Sequence, residues 1–235
     1  MGRAFVAAAS ALVLAAVLIG CAGTGAGPST SATPVPAEFA HQPLWPFASQ
    51  DDADRWVRAG GASWHADAEA TALRFTRDYL GFGEIDRVTA AETQSAEAWI
   101  GVGHALGDAE PSTVATIHLV RFGDGSDAPW EVVGTRDGVL TIDTPSYGAA
   151  VGSVFAAGGT ISGVDESLRL QVRQSFGDGE VGGYCCLPAG GQASPWTAKV
   201  TAVAAKPGVA TLVVSTGGHV AEIERFAVTG LRFDE

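Results

Sequence analysis

The chain is short of cations. Only 14 of its 235 residues are Lys or Arg against 26 Asp and Glu, which leaves a formal charge of -12. Nucleic-acid binding is dominated by Lys and Arg displacing counterions from phosphates, so nucleic acid is excluded as a partner. Charged residues of both signs make up only 17% and apolar ones 46%, the reverse of a disordered acidic chain. Catalytic signatures are missing too. There is no Gly-x-Ser-x-Gly elbow and no phosphate-cradling Gly-Lys loop, and Asp124-Gly125-Ser126-Asp127 lacks the spacing and distal Glu of a calcium loop. Asp165-Glu166-Ser167 and Gly217-Gly218-His219 hold the residue types of a hydrolase triad, but they read as two separate turns. Nothing in the sequence calls for a cofactor or a metal.

What is present in quantity is glycine, 31 residues with 11 Pro, which points to turns and a β-rich body. One apolar run stands apart. Arg3 is followed by an uncharged stretch over 4–20 that ends Leu18-Ile19-Gly20-Cys21. A positive n-region, a short apolar h-region and small residues at the cut form an export signal, too short for a permanent span. Residues 22–40 (AGTGAGPSTSATPVP and its continuation) lack periodicity and read as a flexible tether.

The remainder divides by composition. Residues 41–143 hold 17 acidic and 7 basic side chains and five of the six Trp, whereas 144–235 hold 8 and 6 and 15 of the Gly. The shift near Pro145 predicts two domains, 41–145 and 146–235. In the first, Ser49-Gln50-Asp51-Asp52 opens a helix that reaches Arg58 and stops at Gly60-Gly61. Ala68, Ala72, Phe75, Tyr79 and Phe82 then form one stripe of a second helix over 67–80. Runs at 97–106, 113–122, 129–135 and 139–143 have strand character, with a hairpin signal at Phe122-Gly123-Asp124-Gly125. The expectation is an α+β domain, helices packed on an antiparallel sheet. In the second domain, Leu168, Leu170 and Val172 alternate with Arg169, Gln171 and Arg173, and further strands fall at 151–161, 196–203, 209–216 and 220–233. The expectation there is an all-β sandwich, with a loop over the Gly-rich stretch 177–191.

Four resemblances attach to these residues. Leu18-Ile19-Gly20-Cys21 resembles the bacterial lipobox, which implies that Cys21 is acylated and becomes the first mature residue, anchoring the chain to the extracytoplasmic face of the cell membrane. The order of helices and curved sheet in 41–145 is similar to the cystatin or nuclear transport factor 2-like class. Gly158-Gly159-Thr160-Ile161-Ser162-Gly163, the Arg-rich strand, Trp196 and the terminal strand resemble the immunoglobulin-like domain of bacterial spore germination, over 147–233. With 12 Arg to 2 Lys, the whole resembles actinobacterial lipoproteins. The resemblance implies a non-enzymatic binding or structural role, toward an envelope protein or a wall polymer.

Three groups of residues are candidates for chemistry. Cys185-Cys186 is the thiol pair left once Cys21 is acylated: a disulfide, with redox sensing or a loop clip as its use, or else two thiols on opposite faces of an edge strand. No His or Cys neighbours the pair, which argues against a four-ligand metal site. His104 shares a strand face with Ile100 and Val102, and His118 with Thr116 and Val120, so both could enter one pocket if those faces coincide. Such a pocket would suit a small-molecule carrier or an enzyme, the alternative function. Trp45, Trp56 and Trp64 crowd the start of the first domain, as a binding surface or as a lid folded over the sheet.

Overall fold

The computed structural model describes residues 40–234 except 62, 106–109, 124–125, 175–178 and 219–220, so Cys21 and the tether expected over 22–40 fall outside or at the edge of the described residues, as does most of the turn at Phe176-Gly177-Asp178. Helix α1 (Gln50–Arg58) starts where the Ser49 hydroxyl accepts from the Asp52 N–H, with Asp51 and Asp52 in the first turn. Gly60, at φ +76°, supplies the left-handed residue that ends it. Helix α2 (Ala68–Arg74) is capped by Asp67, whose carboxylate accepts from the Glu69 and Ala70 N–H groups, and continues as a π turn over Phe75–Tyr79. The stripe Ala68, Ala72, Phe75, Tyr79 and Phe82 is buried in one cluster.

Strands β1 (Arg87–Thr93), β2 (Glu97–His104), β3 (Ser112–Arg121) and β4 (Trp130–Thr135) form an antiparallel sheet in chain order. Strands β5 (Ala149–Val151), β6 (Val154–Arg173), β7 (Glu180–Thr201), β8 (Gly208–Thr216) and β9 (Arg225–Phe233) form a second sheet in the order β5-β9-β8-β6-β7. This corrects both expected fold classes. Strands account for 53% of the described residues and helical residues for 13%, so the first half is not a helical layer on a sheet. The short α2 instead fills the gap between two sheets, since its stripe shares a cluster with Ile100, Ile117 and Val132 of the first and with Val213, Phe226 and Val228 of the second. Nor is the second half an immunoglobulin-like sandwich, because all its strands belong to one sheet.

That sheet rolls on itself. The β6–β7 hairpin shifts register at Ile161/Gly163, Gly163/Glu166 and Leu168/Leu170, and bulges of this kind bend a strand pair. Its two halves thereby face each other: Ala157, Ile161, Trp196 and Val200 pack against Leu168, Leu170 and Val172. Strands β8 and β9 are buried on both faces, with Leu212, Val214 and Phe233 inside the roll and Val213, Phe226 and Val228 against the first sheet. The stretch expected as a loop over 177–191 is mostly strand, and its glycines mark close backbone approach: a Cβ at Gly183 would collide with the Leu170 carbonyl, and one at Gly182 with Ala202. Asp165-Glu166-Ser167, read as a turn, runs within β6. The run at 139–143 is not a strand of the first sheet; Leu140 and Thr144 bridge to Ile161 and Gly158 along the free edge of β6.

Residues 38–235 make one compact unit. The composition shift at Pro145 separates the two sheets in sequence, while their apolar clusters run across it. A strap over residues 41–47 completes the joint. Leu44 and Trp45 exchange backbone hydrogen bonds with Val132 at 3.0 and 2.8 Å, the Gln42 side chain donates to the Leu231 carbonyl at 2.9 Å, and the Tyr147 hydroxyl donates to the Gln42 carbonyl at 2.9 Å.

Candidate functional site

His118 and His104 do not meet. Ile100 is opposite Ile117 and Trp99 is opposite His118, so the even positions of β2 face the core while the even positions of β3 at its centre face away from it. His104 is buried on the core side at the far end of β2, opposite Ser112. Five residues of strand between the rungs of His104 and Trp99 place the two imidazoles roughly 17 Å apart along the sheet as well. No shared pocket results.

His118 has other company. Its ring stacks on Trp99 with centroids 5.1 Å apart and planes within 4°, and meets the His41 ring edge-on at 5.8 Å. On the same face the Arg136 guanidinium lies 5.1 Å over Trp99 and 3.7 Å from Glu92. Burial lowers the His118 pKa below its usual 6.5, against an opposing pull from Glu97 at 3.5 Å, so the imidazole is neutral at pH 7. Gly134, paired with His118 across β3 and β4, leaves the space beside the ring unfilled.

This group opens onto a cleft of about 480 Å³ between the two sheets. His41 comes from the strap, Arg136 and Asp137 from the end of β4, Tyr147 from the connection, and Val228 and Thr229 from β9. Most of the polar groups are already engaged. Asp137 pairs with Arg225 at 3.4 Å and accepts from the Val139 N–H at 2.8 Å, Thr135 accepts from the Val228 N–H at 2.8 Å, and Thr141 accepts from the Thr160 N–H at 2.9 Å. These bonds fix the walls in place. Sequence reasoning found His118 but not His41, Arg136, Asp137 or Tyr147, because they converge from three segments with no spacing in common.

The remaining candidates stand apart from the cleft. Trp45, Trp56 and Trp64 are half-buried and fold onto one another: Trp45 stacks on Trp64 at 5.4 Å, and His65 stacks on Trp56 at 4.6 Å. Arg74 covers Trp64 at 4.8 Å. Burial, with a smaller push from Arg74, lowers the His65 pKa to about 4. Beneath this cover Glu131 is fully buried, and its carboxyl oxygen accepts the Phe47 N–H at 3.1 Å. Cys185 and Cys186 lie on an exposed part of β7 with their sulfurs in contact. Among the described residues no group of three or more His, Cys, Asp and Glu could hold a metal ion. No protein-family model matches the chain, and no curated protein matches it.

Proposed function

We propose that the protein is a lipid-anchored cell-envelope binding module, non-enzymatic, whose partner seats in the cleft between the two sheets. The observation that carries this reading is the convergence of His41, Arg136, Tyr147 and Thr229 on one cleft whose polar walls are held by internal hydrogen bonds. Such a surface is preorganised for recognition rather than poised for proton transfer. The lipobox-like Leu18-Ile19-Gly20-Cys21 supports attachment through an acyl chain, with the tether projecting the body toward an envelope protein or wall polymer.

The test has two parts. Membrane fractionation should show Cys21→Ala released or left unprocessed, and wild-type association at the mature mass would refute the anchor. Crosslinking in intact envelopes should then capture a partner through wild type and lose it in Gly134→Val, which fills the space beside His118. A second reading, a small-molecule carrier or enzyme, is favoured by the cleft's volume, which falls in the range of ligand pockets of about 300–1,000 Å³. Mass spectrometry of the purified body would decide for it if a small molecule co-purified with wild type and not with Gly134→Val.

A further inference from the structure

Leu168 is opposite Leu187 and Leu170 is opposite Tyr184, so Arg169 of β6 alone faces both Cys185 and Cys186 of β7. The pair holds the extra residue of a β-bulge, two residues against one. In an unbroken strand neighbouring side chains point to opposite faces and two adjacent sulfurs cannot meet. A bulge removes that alternation locally, and here the sulfurs are in contact. The bond and the bulge fall at the same place, and the joined sulfurs hold the two side chains on one side, which forbids the strand from recovering its alternation there. Tyr184, Cys185 and Cys186 are exposed, β7 is the last strand of its sheet, and no charged residue occurs from 181 to 198. Leu187, next in sequence, begins the wall of a second cleft of about 780 Å³, formed by residues 187–192 and 195–197 with Gly163. Trp196 lies in that wall with its indole N–H buried and unbonded.

We propose that Cys185 and Cys186 form a redox-responsive lock on the register of β7, reducible by an exported dithiol and controlling the second cleft. The dithiol gives up two electrons and two protons: the Cys185–Cys186 bond breaks to two thiols and the reductant closes to its own disulfide. Exposed disulfides are the labile ones, so the pair is reducible without unfolding. Once reduced, the edge strand is free to regain alternation, which turns over the side chains that follow the bulge and rearranges the cleft wall. None of this depends on what occupies the cleft between the sheets.

The test compares the envelope-purified protein before and after dithiothreitol. Peptide mass spectrometry after maleimide treatment of the folded protein should find both Cys185 and Cys186 labelled only after reduction. Amide exchange over 187–197 should then accelerate by about tenfold, with the first sheet unchanged. A Cys185→Ser, Cys186→Ser double variant should exchange fast with or without dithiothreitol. Labelling of both thiols without reductant, or exchange over 187–197 that ignores reduction in wild type, would overturn the proposal, and the wild-type comparison decides even if the double variant fails to fold.

Discussion

Replacing Glu131 by Gln should stabilise the protein at neutral pH, and by an amount that grows with pH. The carboxyl is fully buried on β4, and the titratable groups that feel it are the phenols of Tyr79 and Tyr147, whose pKa values burial raises to about 12, so that both are uncharged at neutral pH. Burial raises the Glu131 pKa well above the usual 4.5, and the backbone N–H groups of Phe47 and Trp45 only temper the effect. A raised native pKa means that the native state keeps its proton where the unfolded chain has lost it. The corresponding stability is complete below the unfolded value and drains away as pH rises toward the folded one. Within that window the loss is one proton's worth, about 1.4 kcal/mol per pH unit. Gln has the shape of the protonated acid and still accepts the Phe47 N–H, but does not titrate. Urea or thermal unfolding of the mature protein at pH 4.5, 5.5, 6.5 and 7.5 should give curves that coincide at the acid end and separate above it. For a body of this size the gap in Tm should widen by roughly 3–6 °C per pH unit. Parallel profiles, or a variant less stable than wild type at pH 7.5, would refute the reasoning.

Other expectations follow from the same packing. His65 resists protonation down to about 4, so wild type should lose stability as pH falls from 6.5 toward that value. Because the ring is half-exposed the loss should be about 1 kcal/mol at most, and His65→Phe should flatten that limb of the profile. Residues 41–145 expressed alone should show no cooperative thermal transition, since the cut removes Val213, Ile223, Phe226 and Val228 from the shared cluster. At about 1.5–3 kcal/mol for each buried apolar side chain, that loss rivals a whole domain's stability, and a sharp transition in the fragment would contradict it. His104→Gln should change binding in the inter-sheet cleft by less than about twofold at equal fold, because the ring lies on the other face of the sheet.

Much of the local structure could be read from the sequence. Ser49 and the two Asp that follow announce α1, and the 68–82 stripe announces a buried helix, because caps and periodicity are local chemistry. Alternation at 97–104 and 112–121 marks β2 and β3 for the same reason. Strand β1 escapes notice because it is an edge strand with most of its side chains exposed, and the part of β7 before Trp196 because its Gly and Pro residues read as loop when two of the Gly mark tight backbone approach. Partnership between strands is not local. Alternation in β8 and β9 cannot show that both faces are covered, and so one rolled sheet reads as a sandwich. The two histidines fail for a matter of parity, since a common face would need Ile100 opposite His118, and the strand pairs it with Ile117 instead. The cleft needs the strap, and nothing in His41 or Gln42 advertises that they dock beside Leu231.

The same strap has a bearing on how the molecule is made. Gln42 bonds to Leu231 across 189 positions, and Leu44 shares a cluster with Phe226 and Val228. The earliest residues of the body to leave the ribosome thus wait for nearly the last. Contact order this high slows folding and denies a partial polypeptide any finished core. If the export proposed from the 4–21 segment holds, that delay suits a polypeptide threaded unfolded through a translocation pore, because premature collapse would jam its passage. Vectorial synthesis would leave it open along its length until β9 emerges, when one closing step joins both sheets.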